Sequence, residues 1–476
     1  MSFVAACANH ARPAVALYEQ GDYAGAARAA DTGLAAYPGD EDLWQMRVRA
    51  ALALGDAAGI ARTYAAYRGQ IAGDDDKALV RELAIATLGQ ALASPSVVLK
   101  LAAIDAVVAA ELEPLAEPVA QRMADDDDRV VAAAAIAVLR GDPRAPGQAG
   151  EMLHSENAEA RRIVVDGLGK KVGALAFADL EAAGADGDPR VRRAAIHWLG
   201  QLKDKDAVGL LTMRLHDPDE AVRAAAASAL AKIGIGNLAE LGVLAARDPA
   251  LAVRLAGIEL LVATHGQAQA ALAALADDPD PVVAAEAAIA IDSPAGGPAR
   301  SPAGGPASGP AHGDRAAKAI DRAASAGEWT VRAGAANLAT RALGKPAAIA
   351  LAKRLSGDPE PRVRLAAARV LAHAGDAADR QAAGAVFLAV MQGAADHPEL
   401  AIEAAVELAT QDDATGLQAL ETAVGHAERS ADRAAAAAGH EAARHITPGL
   451  VAALADRSGV VRVAAAAALT MLSRHP

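Results

Sequence analysis

Over most of its length the chain repeats one pattern of polar and apolar positions. An acidic residue and a proline, Asp217-Pro218, precede Val222, Ala225, Ala226, Ala229 and Leu230. Those apolar positions are three and four apart and so share one face of an α-helix. The pattern returns at Asp248-Pro249 with Val253 and Arg254, at Asp358-Pro359 with Val363 and Arg364, and in shortened form from Asp188 to Arg192. With the arginine as anchor, equivalent positions are Lys100, Val131, Arg161, Arg192, Arg223, Arg254, Ala284, Arg332, Arg364, Ile402, Arg433 and Arg462. The steps are 31, 30, 31, 31, 31, 30, 48, 32, 38, 31 and 29. A period near 31 residues predicts a helical hairpin per unit. The second helix is expected to start at the Asp-Pro, with the aspartate as N-cap and the proline in the first helical position. In the unit anchored on Arg223, the first helix is expected from about Asp206 to His216.

Such hairpins must stack to bury their apolar faces, so the predicted fold is an all-α solenoid. Composition agrees. Alanine, the best helix former, makes up about 28% of the chain, while aromatic residues are only 2%, which leaves little material for β-sheets.

Across about 94 to 476 these units resemble HEAT repeats, in the short form named after phycobilisome lyases. The resemblance implies a right-handed α-solenoid of stacked hairpins. It also implies a ladder of ion pairs between neighbouring units, made by the aspartate and the arginine six residues later. Asp217 with Arg223, Asp248 with Arg254, and Asp358 with Arg364 fit it, as do Asp186 with Arg192 and Asp456 with Arg462. Ala284 and Ile402 lack the arginine, and the ladder is expected to break there.

Residues 13–72 have another rhythm. Gly21-Asp22-Tyr23, Ala26, Gly33-Leu34, Tyr37 and Pro38 resemble a tetratricopeptide repeat, with a weaker copy from Leu43-Trp44 to Tyr67. Two such hairpins are too few to stand alone, so they are expected to stack on the array through Lys77 to Leu92. The predicted organisation is therefore a tail at 1–12, tetratricopeptide-like hairpins at 13–72, HEAT-like repeats at 73–292, a loop at 293–313 and further repeats at 314–476. The loop contains an eight-residue Pro/Gly-rich duplication, Ser293 to Arg300 and Ser301 to Ser308. That composition cannot hold a helix, and loop closure entropy changes slowly with length, so its deletion is expected to be tolerated.

The net charge of -13 argues against nucleic-acid binding. A single cysteine excludes a disulfide framework or a thiolate-rich zinc site, and no apolar run is long enough to span a bilayer. Cys7, in Val4-Ala5-Ala6-Cys7, looks like a bacterial lipobox, yet only six residues precede it and none is basic. The expected location is cytoplasmic with the start as written, or a cell-envelope lipoprotein anchored at Cys7 if the true start lies upstream.

Catalytic constellations are hard to find. His440-Glu441 with His445 gives HExxxH, not the zinc-binding HExxH, and reads as a solvated helix end. The Asp125 to Asp128 run lacks the spacing of a calcium loop and reads as a solvated N-cap region. No phosphate loop or nucleophile elbow is present, and no metal or cofactor is expected.

A surface remains. Five residues after the anchor, the second helices carry Asp105, Ile136, Asp166, His197, Ser228, Glu259, Ile289, Asn337, Arg369, Glu407, Ala438 and Ala467. The residue four later, on the same helical face, adds Lys170, Gln201, Lys232, Arg341, His373 and Gln411. In HEAT arrays the second helices line the concave side, so the resemblance makes Asp166, His197, the adjoining Trp198, Ser228, Glu259, Asn337, Arg369 and Glu407 the candidate binding residues. Units from about 166 to 270 are the expected peptide groove. The function expected is a non-catalytic scaffold for a protein or peptide partner. A bilin-lyase-like enzyme or subunit is the alternative. The last helix, with Val460, Val461, Val463 and a run of alanines, reads as an apolar end without a polar cap, open to end-to-end pairing.

Overall fold

The computed structural model describes residues 10–54, 57–71, 76–292, 314–393 and 396–474. Among them are 28 α-helices joined by short turns and no strand. No helix there is long and apolar enough to cross a membrane. Cys7 and the 293–313 loop lie outside the described residues. The chain forms two compact units, one of residues 126–404 and one combining 1–125 with 405–476.

In the 126–404 unit the hairpins follow the predicted period. The first helix of the Arg223 unit is Val208–Arg214, preceded by a 3-10 turn, and the second is Glu220–Ile233. The Asp-Pro aspartate caps its helix at Asp188, with Pro189 in the first helical position, but in the Arg223 unit it is not the N-cap. That place belongs to Asp219, whose side chain accepts from the backbone of Ala221 and Val222. Asp217, two residues earlier, accepts instead from Asp219 N at 3.0 Å and from the guanidinium of the preceding unit, Arg192 Nε at 2.9 Å and Nη2 at 2.6 Å. The physical reason is one of demand. A carboxylate facing a buried guanidinium is worth more in a bidentate pair than in a helix cap that its neighbour can supply.

The same rung recurs one unit apart. Arg161 binds Asp186, Arg223 binds Asp248, Arg254 binds Asp278 and Arg332 binds Asp358, with Nε to Oδ2 distances of 2.8 to 3.1 Å. Each arginine also donates Nη1 to two carbonyls five and six residues behind it, as Arg223 does to Asp217 and Pro218. Arg364 makes the same two bonds to Asp358 O and Pro359 O. One guanidinium thus closes its own turn and grips the next. Where the anchor is Val131, Ser155 stands in the aspartate's place and its hydroxyl bonds Asp128.

In the other unit, the first two hairpins are Arg12–Glu19 with Tyr23–Ala36 and Glu41–Leu54 with Ala57–Gln70. Asp22 caps the second helix through Gly25 N, and Pro38 lies just beyond its end. At Gly33 an added Cβ would lie 2.7 Å from the end of the Leu43 side chain, so a larger residue there would have to push Leu43 aside. Tyr67 is buried at the centre, packed edge-on to Tyr64 and bonded through its hydroxyl to Glu41 Oε1 at 3.0 Å. The next helix is Lys77–Leu92.

Three expectations are corrected in this unit. The last helix, Gly459–Leu472, is no open end. It packs on Ser430–Ala443 on one side and on Lys77–Leu92 and Val97–Ala109 on the other. Val461 and Val463 are buried, Arg81 Nη1 donates to Thr470 O at 2.9 Å, and Leu99 fills the space over Gly459. Its apolar face is thus covered by the N-terminal helices, which removes the basis for end-to-end pairing. His440 is fully buried rather than solvated, accepted by Ala436 O at 2.8 Å and within 3.1 Å of Thr447 Oγ1. Burial holds its pKa below the usual imidazole value. The Asp125 side chain, only 6% exposed, lies 2.6 Å from Lys100 Nζ and makes a lysine version of the ladder rung. Of the aspartate run, Asp127 is the helix cap.

Candidate functional site

The site is built from the second helices of the 126–404 unit: Asp128–Ala137, Ala158–Lys171, Pro189–Leu202, Glu220–Ile233 and Leu251–Val262. Each packs directly on the next, whereas the first helices Phe177–Ala183, Val208–Arg214 and Leu238–Ala245 pack chiefly on their own partners. Small residues allow this. An added Cβ at Gly200 would lie 2.7 Å from the Cα of Ala229, and one at Gly169 would lie 2.1 Å from the Trp198 ring. Packed in this way, the exposed faces of these helices form one continuous surface along the unit.

Asp166, Trp198 and His197 come together there. The Trp198 indole lies over Gly169 and donates Nε1–H to Asp166 Oδ1 at 3.0 Å. Asp166 also accepts from Arg162, which in turn binds Glu159 at 2.6 Å. His197 stands exposed and edge-on to Trp198, with ring centroids 5.3 Å apart. Burial, then the nearby charge of Lys232, holds the His197 pKa below the usual value. The imidazole is therefore neutral near pH 7 and offers one donor and one acceptor.

The remaining candidates are spread out. Ser228 and Glu259 are half-buried on the following helices, and Asn337 is exposed further along. Arg369 pairs with Glu403 at 3.1 Å. Glu407 belongs to the other compact unit. Ile136 and Ile289, at equivalent positions, are buried; Ile136 packs where a Cβ on Gly167 would sit.

Arg162, Glu159 and Gly169 were not among the sequence candidates. Gly169 and Gly200 both fall eight residues after an anchor, and this was the available signal. Asp278 was also missed as a rung. Its Asp278-Pro279-Asp280 matches Asp217-Pro218-Asp219, but its own unit has Ala284 in place of the arginine. Among the described residues no group of His, Cys, Asp and Glu is placed to hold a metal.

A separate cavity of about 320 Å³ lies within the unit of 1–125 and 405–476, walled by Ile60, Tyr64, Leu83, Val451 and Leu454 among others, with Arg68 as its only charged residue.

Residues 146–231 and 177–247 match the family described as HEAT repeats. Among solved structures, the chain is similar to the complex of CpcE and CpcF of phycocyanin lyase from Nostoc, at 19% identity over 65% of this chain and 92% of that one, with a TM-score of 0.24. It is similar to importin beta at 14% identity, over 90% of this chain and 71% of that one, with a TM-score of 0.35. A karyopherin bound to the extreme C-terminus of a protein phosphatase matches at 13% identity, over 84% of this chain and 48% of that one, with a TM-score of 0.34. The chain therefore spans about half the length of that karyopherin. No curated protein matches the chain.

Proposed function

We propose that this HEAT-repeat α-solenoid is a non-catalytic scaffold that holds a protein or peptide partner on the second-helix face of the 126–404 unit. One observation carries the reading. The second helices present a row of polar, half-exposed side chains, with Trp198 and His197 beside Asp166, on a stack whose spacing is held by buried arginine–aspartate pairs. A row held at fixed spacing suits recognition of a chain that crosses successive repeats, because ordering was completed on folding and costs little on binding. Solved proteins of this architecture include one described as bound to a phosphatase C-terminus.

The test is site-specific photo-cross-linking. A benzophenone side chain placed at His197 or Asn337, both exposed, is expected to trap a partner. The same group at Leu175, 92% exposed ahead of a first helix, is expected to trap none. Equal trapping at all three positions would remove the second-helix face as the site. A visible-absorbing tetrapyrrole carried by the purified protein would instead favour the lyase alternative.

A further inference from the structure

Nine residues after the anchor, four consecutive units carry Arg140, Lys170, Gln201 and Lys232. The rest of the chain is acidic, with 59 Asp and Glu against 46 Lys and Arg, so three cations in four equivalent places form a local inversion of charge. Lys171 adds to it.

Two of these cations have structural duties. Arg140 donates Nη2 to Lys171 O at 2.7 Å, and Lys171 donates Nζ to Ile136 O at 2.6 Å and Ala137 O at 3.0 Å. They satisfy carbonyls at the ends of the helices Ala158–Lys171 and Asp128–Ala137. Lys170 and Lys232 are both exposed, and no ion pair among the described residues engages either. The cations are also close enough to feel one another. Burial lowers the Lys171 pKa, and Lys170 and Arg140 lower it further. The neighbouring Asp166 is already taken by Arg162 and Trp198.

Building on the reading of this face as the binding surface, we infer that Arg140, Lys170, Gln201 and Lys232 receive an extended acidic segment of a protein partner, one contact per repeat. Packed helices are about 8–10 Å apart and an extended chain advances about 3.3 Å per residue. One repeat therefore matches about three residues. The recognised segment carries acids at i, i+3 and i+9, with a neutral polar residue at i+6 opposite Gln201. A short segment fits better than a long polyanion, because three or four cations balance a few carboxylates while the overall charge of -13 repels an extended run of phosphates.

The test uses the full chain and fluorescent synthetic peptides about a dozen residues long, read by anisotropy at low salt. A Gly/Ser peptide with glutamates at positions 1, 4 and 10 is expected to bind better than one of the same composition with its glutamates adjacent. The double variant Lys170→Glu with Lys232→Glu is expected to lose about tenfold or more in affinity with unchanged helicity. Gln201→Lys is expected to gain affinity for a peptide with an additional glutamate at position 7. Equal binding of the two arrangements, or indifference to the double reversal, overturns the proposal. Tighter, lysine-dependent capture of a single-stranded oligonucleotide or of phosphatidylserine vesicles overturns it in favour of those ligands. If the peptides fail while cross-linking at His197 still traps a partner, the acidic-segment inference falls alone. If both fail, the reading of this face as the binding surface falls with it.

Discussion

The first two hairpins and the repeats of the 126–404 unit stack similar helices by different means. In the repeats, adjoining hairpins are joined by bidentate pairs such as Arg192 with Asp217, whose side chains are 10% and 1% exposed. In the N-terminal hairpins aromatic rings close each hairpin on itself, while the two hairpins meet where Leu43 packs at Gly33 and where Arg47 pairs with Asp31 at 2.7 Å. Tyr18 packs on Tyr23, Trp44 and Tyr64 lie against Tyr67, and His10 stacks on Tyr37 with centroids 3.8 Å apart. An alanine-rich array has few large side chains to interlock, so direction and spacing must come from hydrogen-bonded charge. Where the sequence supplies tyrosine and tryptophan, ring shape and area hold the two helices of one hairpin together.

Breaking one rung is expected to have the largest effect. Arg192→Ala removes the bidentate partner of buried Asp217, which keeps only Arg214 at 3.6 Å and the backbone of Asp219, and it frees the carbonyls of Asp186 and Gly187. A loss approaching the roughly 3–5 kcal/mol of a broken buried ion pair is expected, measured by chemical denaturation. A loss below 1 kcal/mol would mean that the ladder contributes little to stacking.

Next comes the coupling within one rung. Arg223 and Asp248 are in contact, with Nε to Oδ2 at 2.8 Å and Nη2 to Oδ1 at 3.0 Å. A double-mutant cycle of Arg223→Ala and Asp248→Ala is expected to show coupling of about 0.5–3 kcal/mol. Strict additivity would contradict the pairing.

The ladder should also be acid-sensitive. The bond from Arg223 holds the Asp248 pKa below its ordinary value. Its contribution is therefore complete above the unfolded pKa of about 3.9 and is lost as pH falls through the lower native value. Asp248→Asn should flatten the pH dependence of stability in that acid window. An unchanged acid profile would assign the sensitivity to other groups.

The smallest effect is expected in the aromatic region. Tyr67→Phe keeps the ring contacts and removes only the hydroxyl bond to Glu41, which predicts a loss of about 0.5–1.5 kcal/mol. A loss as large as that of Arg192→Ala would show that polar bonds, not ring packing, hold these hairpins as well.

Much of the architecture was legible because it is local. The 31-residue period, the helix stripe of Val222, Ala226, Ala229 and Leu230, and the six-residue spacing of Asp217 and Arg223 all lie within one hairpin. The binding face was less legible. The stripe marks which side of a second helix is buried, and Asp166 and His197 fell on the other side. That Trp198 would reach back to Asp166 across 32 residues depends on how closely two helices approach over Gly169, and a helical period carries no information on that distance. Ile136 and Ile289 occupy the same column and are buried, since an apolar residue there is covered by its neighbour instead of facing outward.

The sequence by itself determined that this chain is a stack of helical hairpins, because helix periodicity, capping chemistry and the aspartate–arginine spacing act within about 31 residues. Only the tertiary structure decided which aspartate caps a helix and which holds the next repeat, since Asp217 and Asp219 are equally good caps until Arg192 arrives from the unit before. It also decided that His440 is buried and that the apolar last helix is covered by Lys77–Leu92, through contacts such as Arg81 to Thr470, 389 residues apart. Such contacts are set by how many hairpins are stacked and at what angle. Those are sums over the whole array, which no single repeat contains.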